Sequence, residues 1–317
     1  MKTIKFHSPI KSINFSLLVI SLLIMISCDK LPHGGGPILK KAKVETLVNN
    51  FEATDGLSVD RSGNIYASNF SAFTGTTVLK TNPFTGQTSV AVDSLVAPLG
   101  NTTDRQGNIY VVNNIRFLSR EQGTTQADVL KVAPDGSREV LATLPGFPAG
   151  IVLDRNNNAY VSNFDFPAIH KVAPNGDVSI LVQDERLRGG VGIDFDKHGN
   201  LIVGNFATGD IFLINPNLEI KVLATIPTVV EGFVIGYITY FAGSVFATAI
   251  SEHVIYKVSM SGEVTVFAGN GTQETVDGSL EGASFNGPNG IAADPIRKRI
   301  YISENSGEGA LRVIKFQ

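Results

Sequence analysis

GLSVDRSGNIYAS, residues 56–68, decides the fold. A glycine opens a short apolar run, GLSV. DRSGN makes a turn, and IYAS resumes as a second run. Two more runs follow, TVLKT at 77–81 and TSVAV at 88–92. Val, Ile, Leu and aromatic residues bounded by turn residues read as β-strands. The same opening returns at Gly100, Gly150, Gly192, Gly232 and Gly290, at steps of 40 to 58 residues. Four short strands per repeat of that length are the blade of a β-propeller. Six openings predict an all-β, six-bladed ring.

The later blades keep the order. IYVV, DVLKV and EVLAT serve blade 2, and AYVS, IHKV and VSILV serve blade 3. LIVG, DIFLI and IKVLAT belong to blade 4, and VFAT, VIYKV and VTVFAG to blade 5. Blade 6 has IYIS and ALRVIKF but lacks a fourth strand. VETLV at 44–48 precedes the first glycine and is predicted to complete blade 6 as its outer strand. Closure of that kind removes the open sheet edge. The glycines themselves let six backbones crowd the axis. Asp60–Asn64 and its counterparts at Asp104, Asp154 and Asp196 are too short for calcium loops and suit hairpin turns.

Of the 317 residues, 43% are hydrophobic and 17% charged, enough for one large core. Lys2, Lys5 and Lys11 precede an apolar run from Phe15 to Ile26 that ends at Cys28, the single cysteine. The run is short for a membrane-spanning helix. It resembles a bacterial lipoprotein signal. That divides the chain into a signal peptide (1–27), a lipidated Cys28 with a flexible tether (28–42) and the propeller (43–317). The expectation is a protein exported to the cell envelope and held on a membrane by lipid at Cys28. Loss of the three lysines takes the net charge from −3 to −6. An acidic chain without a basic patch argues against nucleic-acid binding.

Residues 267–314 resemble an NHL repeat. Ala268-Gly269-Asn270-Gly271, Asp277-Gly278, Ala283-Ser284-Phe285, Pro288 to Asp294 and Leu311-Arg312-Val313-Ile314 carry the resemblance. The wider kinship is to propellers like SMP-30 and gluconolactonase. It implies six blades, and either partner binding or metal-dependent lactone or ester hydrolysis.

With the end where first strands begin called the top, the long connections 114–127 and 270–288 lie there. Long loops on a rigid scaffold are where binding sits, so the site is placed at the top of the channel. Just before the six glycines stand Asp55, Leu99, Ala149, Val191, Glu231 and Asn289. Blades 5, 6 and 1 adjoin in a closed ring, so Asp55, Glu231 and Asn289 form one polar side. Two carboxylates there suit a divalent cation, calcium first among them. Second strands end at Asn69, Asn113, Asn163 and Asn205, and at Glu304 in blade 6. Phe70, Phe164 and Phe206 follow three of these asparagines. Two readings stand for this set. One is a ring of amides and aromatic faces around a ligand. The other is asparagines that bond nearby turns and phenylalanines that pack between blades. Among the histidines, His170 and His198 fall away from the mouth and His253 near it. Two functions compete: a lipid-anchored propeller that binds a small molecule or a partner, and a metal-dependent lactonase or esterase.

Overall fold

The computed structural model describes residues 42–115, 126–228 and 233–316. Cys28 and Glu231 lie outside the described residues, as do the rest of the N-terminal segment and Gly232. Five sheets are four-stranded meanders in sequence order, and the sixth holds the last three long strands plus the first described strand. The inner strands are Leu57–Val59, Asn101–Thr103, Pro148–Leu153, Gly190–Phe195, Ile238–Phe241 and Pro288–Asp294. Each touches the next, and the sixth touches the first. The chain is a six-bladed β-propeller.

The core is divided among the blade interfaces. Each of six apolar clusters draws its side chains from two neighbouring blades. Phe51, Leu57 and Ile65 of blade 1, for example, meet Tyr301, Leu311 and Val313 of blade 6. The DRSGN-type turns are tied by their own side chains. Asp60 accepts from the Asn64 backbone N–H (2.9 Å) and amide (2.8 Å). Asp104 and Asn108 repeat this at 2.9 and 2.6 Å, as do Asp154 with Asn158 and Asp196 with Asn200. Gly63 supplies the left-handed residue such a turn needs, at φ 88°, and Asn157 does so in blade 3 at φ 61°.

Ring closure follows the sequence reading, with one addition. The strand Ala42–Asn49 runs antiparallel to Ala310–Phe316, with Val44 opposite Ile314. It is not the outermost strand, because Gly278–Ser279 pairs with Lys43 and Val44 on its far side. This two-residue strand lies within the long 270–288 connection. Arg312 holds that connection in place. Its guanidinium is fully buried and ion-paired with the equally buried Glu304. It also reaches Asp277 (3.0 Å), the Val276 carbonyl (3.0 Å) and the Ser284 carbonyl (2.9 Å), and lies 5.2 Å from the centre of the Phe285 ring. The segment that carries the NHL-like motif is thus the blade's lock.

A buried pair breaks expensively when one partner is removed and cheaply when both are replaced. Arg312→Met should therefore cost about 3–5 kcal/mol in urea unfolding. The double change Arg312→Met with Glu304→Leu should recover part of that loss. A single variant within 1 kcal/mol of wild type, at a resolution of about 0.5 kcal/mol, would mean that Arg312 does not lock the blade.

Candidate functional site

The inner strands approach so closely that side chains are excluded from five of the six slots around the axis. A Cβ on Gly150 would sit 2.1 Å from the Val191 carbonyl oxygen, and one on Gly290 would sit 2.1 Å from that of Asp55. The sequence reading puts the fifth glycine at Gly232. The backbone puts Tyr237 in that slot instead. The Thr248 N–H donates to the Tyr237 carbonyl (3.1 Å), as Val112 does to Gly100 (2.9 Å) and Ser68 to Gly56 (3.1 Å). The Tyr237 N–H donates to the Asn289 carbonyl (3.0 Å), as Gly100 does to Ala149 (2.8 Å). The sequence held a signal for this. Gly56, Gly100, Gly150 and Gly192 each precede the start of the second strand by nine residues, whereas Gly232 precedes Val245 by thirteen.

Five bare slots leave room on the axis, and the Tyr237 ring enters it. Its hydroxyl donates to Asp55 Oδ1 at 2.5 Å. The Gly56 N–H reaches the same oxygen at 3.0 Å. The Asn289 amide donates to Asp55 Oδ2 (3.3 Å) and to the Thr54 carbonyl (2.9 Å). Burial pushes the Asp55 carboxyl up to about 6, against the pull of these three donors. Burial and the Asp55 charge together hold the Tyr237 hydroxyl well above its usual range, so it stays a donor. Asp55 and Asn289 thus meet as expected, with Tyr237 between blades 5 and 1.

Above this floor opens a cavity of about 920 Å³. Six phenylalanines run along its wall in an unbroken series: Phe73, Phe70, Phe147, Phe164, Phe206 and Phe233. Successive ring centres lie 4.6, 6.4, 6.1, 5.9 and 5.1 Å apart. Four of the five contacts are edge-to-face, the arrangement that aromatic quadrupoles favour. The Asn-Phe pairs at second-strand ends point to three of these rings. Phe147 and Phe233 enter from the connections into blades 3 and 5, and Phe73 from a short turn after Phe70. None of those three follows the repeat.

The asparagines divide. Asn69 lines the cavity. Asn163 accepts from the backbone N–H groups of Phe147 (3.0 Å) and Phe166 (2.9 Å) and donates to the Pro145 carbonyl (2.7 Å). Asn205 donates to the Arg188 carbonyl (2.7 Å) and accepts from Ala207 and Thr208. Asn113 accepts from Val96 (2.7 Å). These three bond backbone in nearby loops and do not line the cavity. Glu304 is bound to Arg312 and to the Thr275 hydroxyl (2.5 Å). His253 takes the Gly287 N–H (3.2 Å) and His170 is buried in blade 3; neither lines the cavity. The 270–288 connection packs on blade 6 and against blade 5, and supplies no lining residue.

For a divalent cation, the described residues offer a poor fit. No three His, Cys, Asp or Glu side chains among them form a metal-binding group. Asp55 is met by N–H and O–H donors on both oxygens, and Asn289 turns its amide nitrogen toward it.

No family model and no curated protein matches the sequence. Solved structures do match. An auxiliary nutrient binding protein from Bacteroides thetaiotaomicron is 15% identical, with a TM-score of 0.69, covering 87% of this chain and 77% of its own. A gluconolactonase from Xanthomonas campestris is 13% identical, with a TM-score of 0.63 and coverages of 88% and 91%. A virginiamycin B lyase from Staphylococcus aureus, crystallised as an inactive variant with quinupristin, is 16% identical, with a TM-score of 0.57 and coverages of 85% and 82%. The likeness is one of fold.

The raised Asp55 carboxyl has a consequence for stability. Its folded value, about 6, lies above the 3.8 of an exposed aspartate. The folded protein therefore holds the proton more tightly than the unfolded chain. The resulting stabilisation is full below pH ~4 and is lost as pH rises through 6, on the order of 3 kcal/mol in all. Asp194, half-buried and likewise pushed up to about 6 by desolvation, acts with the same sign. Asp55→Asn should flatten part of the fall in unfolding free energy between pH 4 and 7. An unchanged slope would remove Asp55 as a titrating group.

Proposed function

We propose that this protein is a small-molecule-binding propeller, exported to the cell envelope and held there by lipid on Cys28. One observation carries the binding reading: a single cavity joins an apolar aromatic wall to a polar floor of Asp55, Tyr237 and Asn289. Mostly apolar concavities with a few convergent polar groups are the usual form of ligand sites. The solved structures of like fold include proteins described as nutrient binders, which agrees with this reading. They also include gluconolactonases, so metal-dependent hydrolysis is the second reading. It needs Glu231 beside Asp55 to complete a cation site.

The wall gives the test. A thermal-shift screen of small aromatic and amphipathic compounds should yield ligands of the wild type. Their affinity should fall at least ~10-fold in Phe164→Ser/Phe206→Ser, because each lost aromatic contact is worth about 1 kcal/mol or more. Ligands that bind both proteins equally would place the site elsewhere. For the anchor, Cys28→Ala should move the protein from the membrane to the soluble fraction; unchanged fractionation would contradict the lipid.

A further inference from the structure

The ionisable side chains around the cavity share one sign. Glu52, Asp165 and Glu308 stand exposed at its rim, and Asp55 is buried at its floor. No Lys, Arg or His occurs among the described lining residues. Arg188 stands beside Asp165, but its guanidinium donates to the Asp165 backbone carbonyl and to the Glu185 carboxylate. The phenylalanine series forms the apolar wall, with Asp165 directly after Phe164 at its rim.

We infer that the cavity takes an organic cation: a positively charged nitrogen carried on an apolar or aromatic body. This rests on the binding reading above and names the class of ligand for the same site. Three physical points lead to it. Three carboxylates at the rim, with no cationic lining residue, draw cations and repel anions before contact. A ligand that fills the cavity removes water from Asp55, and a buried carboxylate then needs a counter-charge. A cationic nitrogen supplies it, whereas a neutral ligand deepens the burial and an anionic one adds repulsion. Finally, phenylalanine faces attract an ammonium group as well as an apolar body. One molecule with both features satisfies both walls at once. Tyr237 and Asn289, which already hold Asp55 in place, leave its charge as the fixed end of the site.

A matched series separates charge from shape: 3-phenylpropylamine, 3-phenylpropan-1-ol and 3-phenylpropanoate, titrated by calorimetry at pH 7.5 into the full propeller. The amine should bind at least ~10-fold more tightly than the carboxylate, with the alcohol between them. Its affinity should fall several-fold in Glu52→Gln/Glu308→Gln, two exposed changes that leave the fold intact, and again in 0.5 M salt, where the Debye length drops to roughly 4 Å. Equal or tighter binding of the alcohol or the carboxylate would overturn the charge assignment and leave the cavity as the binding site. Binding of the amine that is unaffected by the Glu52/Glu308 change and by salt would also overturn it. Failure of all three, together with an empty thermal-shift screen, would overturn both readings.

Discussion

Everything in this molecule follows from how closely six inner strands approach one axis. Backbone carbonyls of one blade come within 2.1 Å of where a Cβ of the next would stand. Only glycine tolerates that spacing, so five blades begin with it. A ring built this way seals its interfaces with one apolar cluster each and leaves its axis bare. The bare axis is what the rest of the site uses. Tyr237 occupies it, and its hydroxyl organises Asp55 and, through Asp55, Asn289. The floor of the cavity is therefore a by-product of the packing rule, made possible by the single blade that breaks it.

The wall rests on a second, more local device. Asn163 and Asn205 accept from the backbone of the turns that follow their strands and donate to carbonyls of the connections that lead into their blades. Those turns carry Phe164 and Phe206, whose rings meet edge to face on the cavity wall. A polar side chain that closes its own loop thus fixes an apolar one that faces the cavity. The two roles that the sequence left as alternatives for these Asn-Phe pairs are divided between the partners. Asn163 and Asn205 bond the turns, Asn69 lines the cavity, and all three phenylalanines line it.

The repeat made the architecture legible. Glycine spacing, turn chemistry and the missing fourth strand of blade 6 together led to six blades and to closure by Ala42–Asn49. The polar pair Asp55 and Asn289 was legible too, since position before the glycine fixes position around the ring. Blade 5 reads wrongly because a Glu-Gly dipeptide at 231–232 imitates the repeat, while the true slot holds a tyrosine. Only the interval to the second strand, thirteen residues instead of nine, gives the imitation away. Phe73, Phe147 and Phe233 were invisible for a different reason: they enter from connections whose lengths differ between blades. Nor did the sequence indicate that the long 270–288 connection folds back onto blade 6. Its anchor, Arg312, reads as one more residue of a strand until burial pairs it with Glu304.

The sharpest measurement is the unfolding free energy of Tyr237→Gly. The repeat taken alone says that glycine belongs in this slot, as in the other five blades, and that the change should be neutral or stabilising. The packing around the axis says the reverse. Glycine would empty the axis and leave the buried Asp55 without its shortest hydrogen bond. Loss of a buried aromatic side chain costs about 3–5 kcal/mol. A loss of that size in urea unfolding at pH 7.5 is the result expected. Stability equal to or above that of the wild type would contradict this role for Tyr237 and the site built on it.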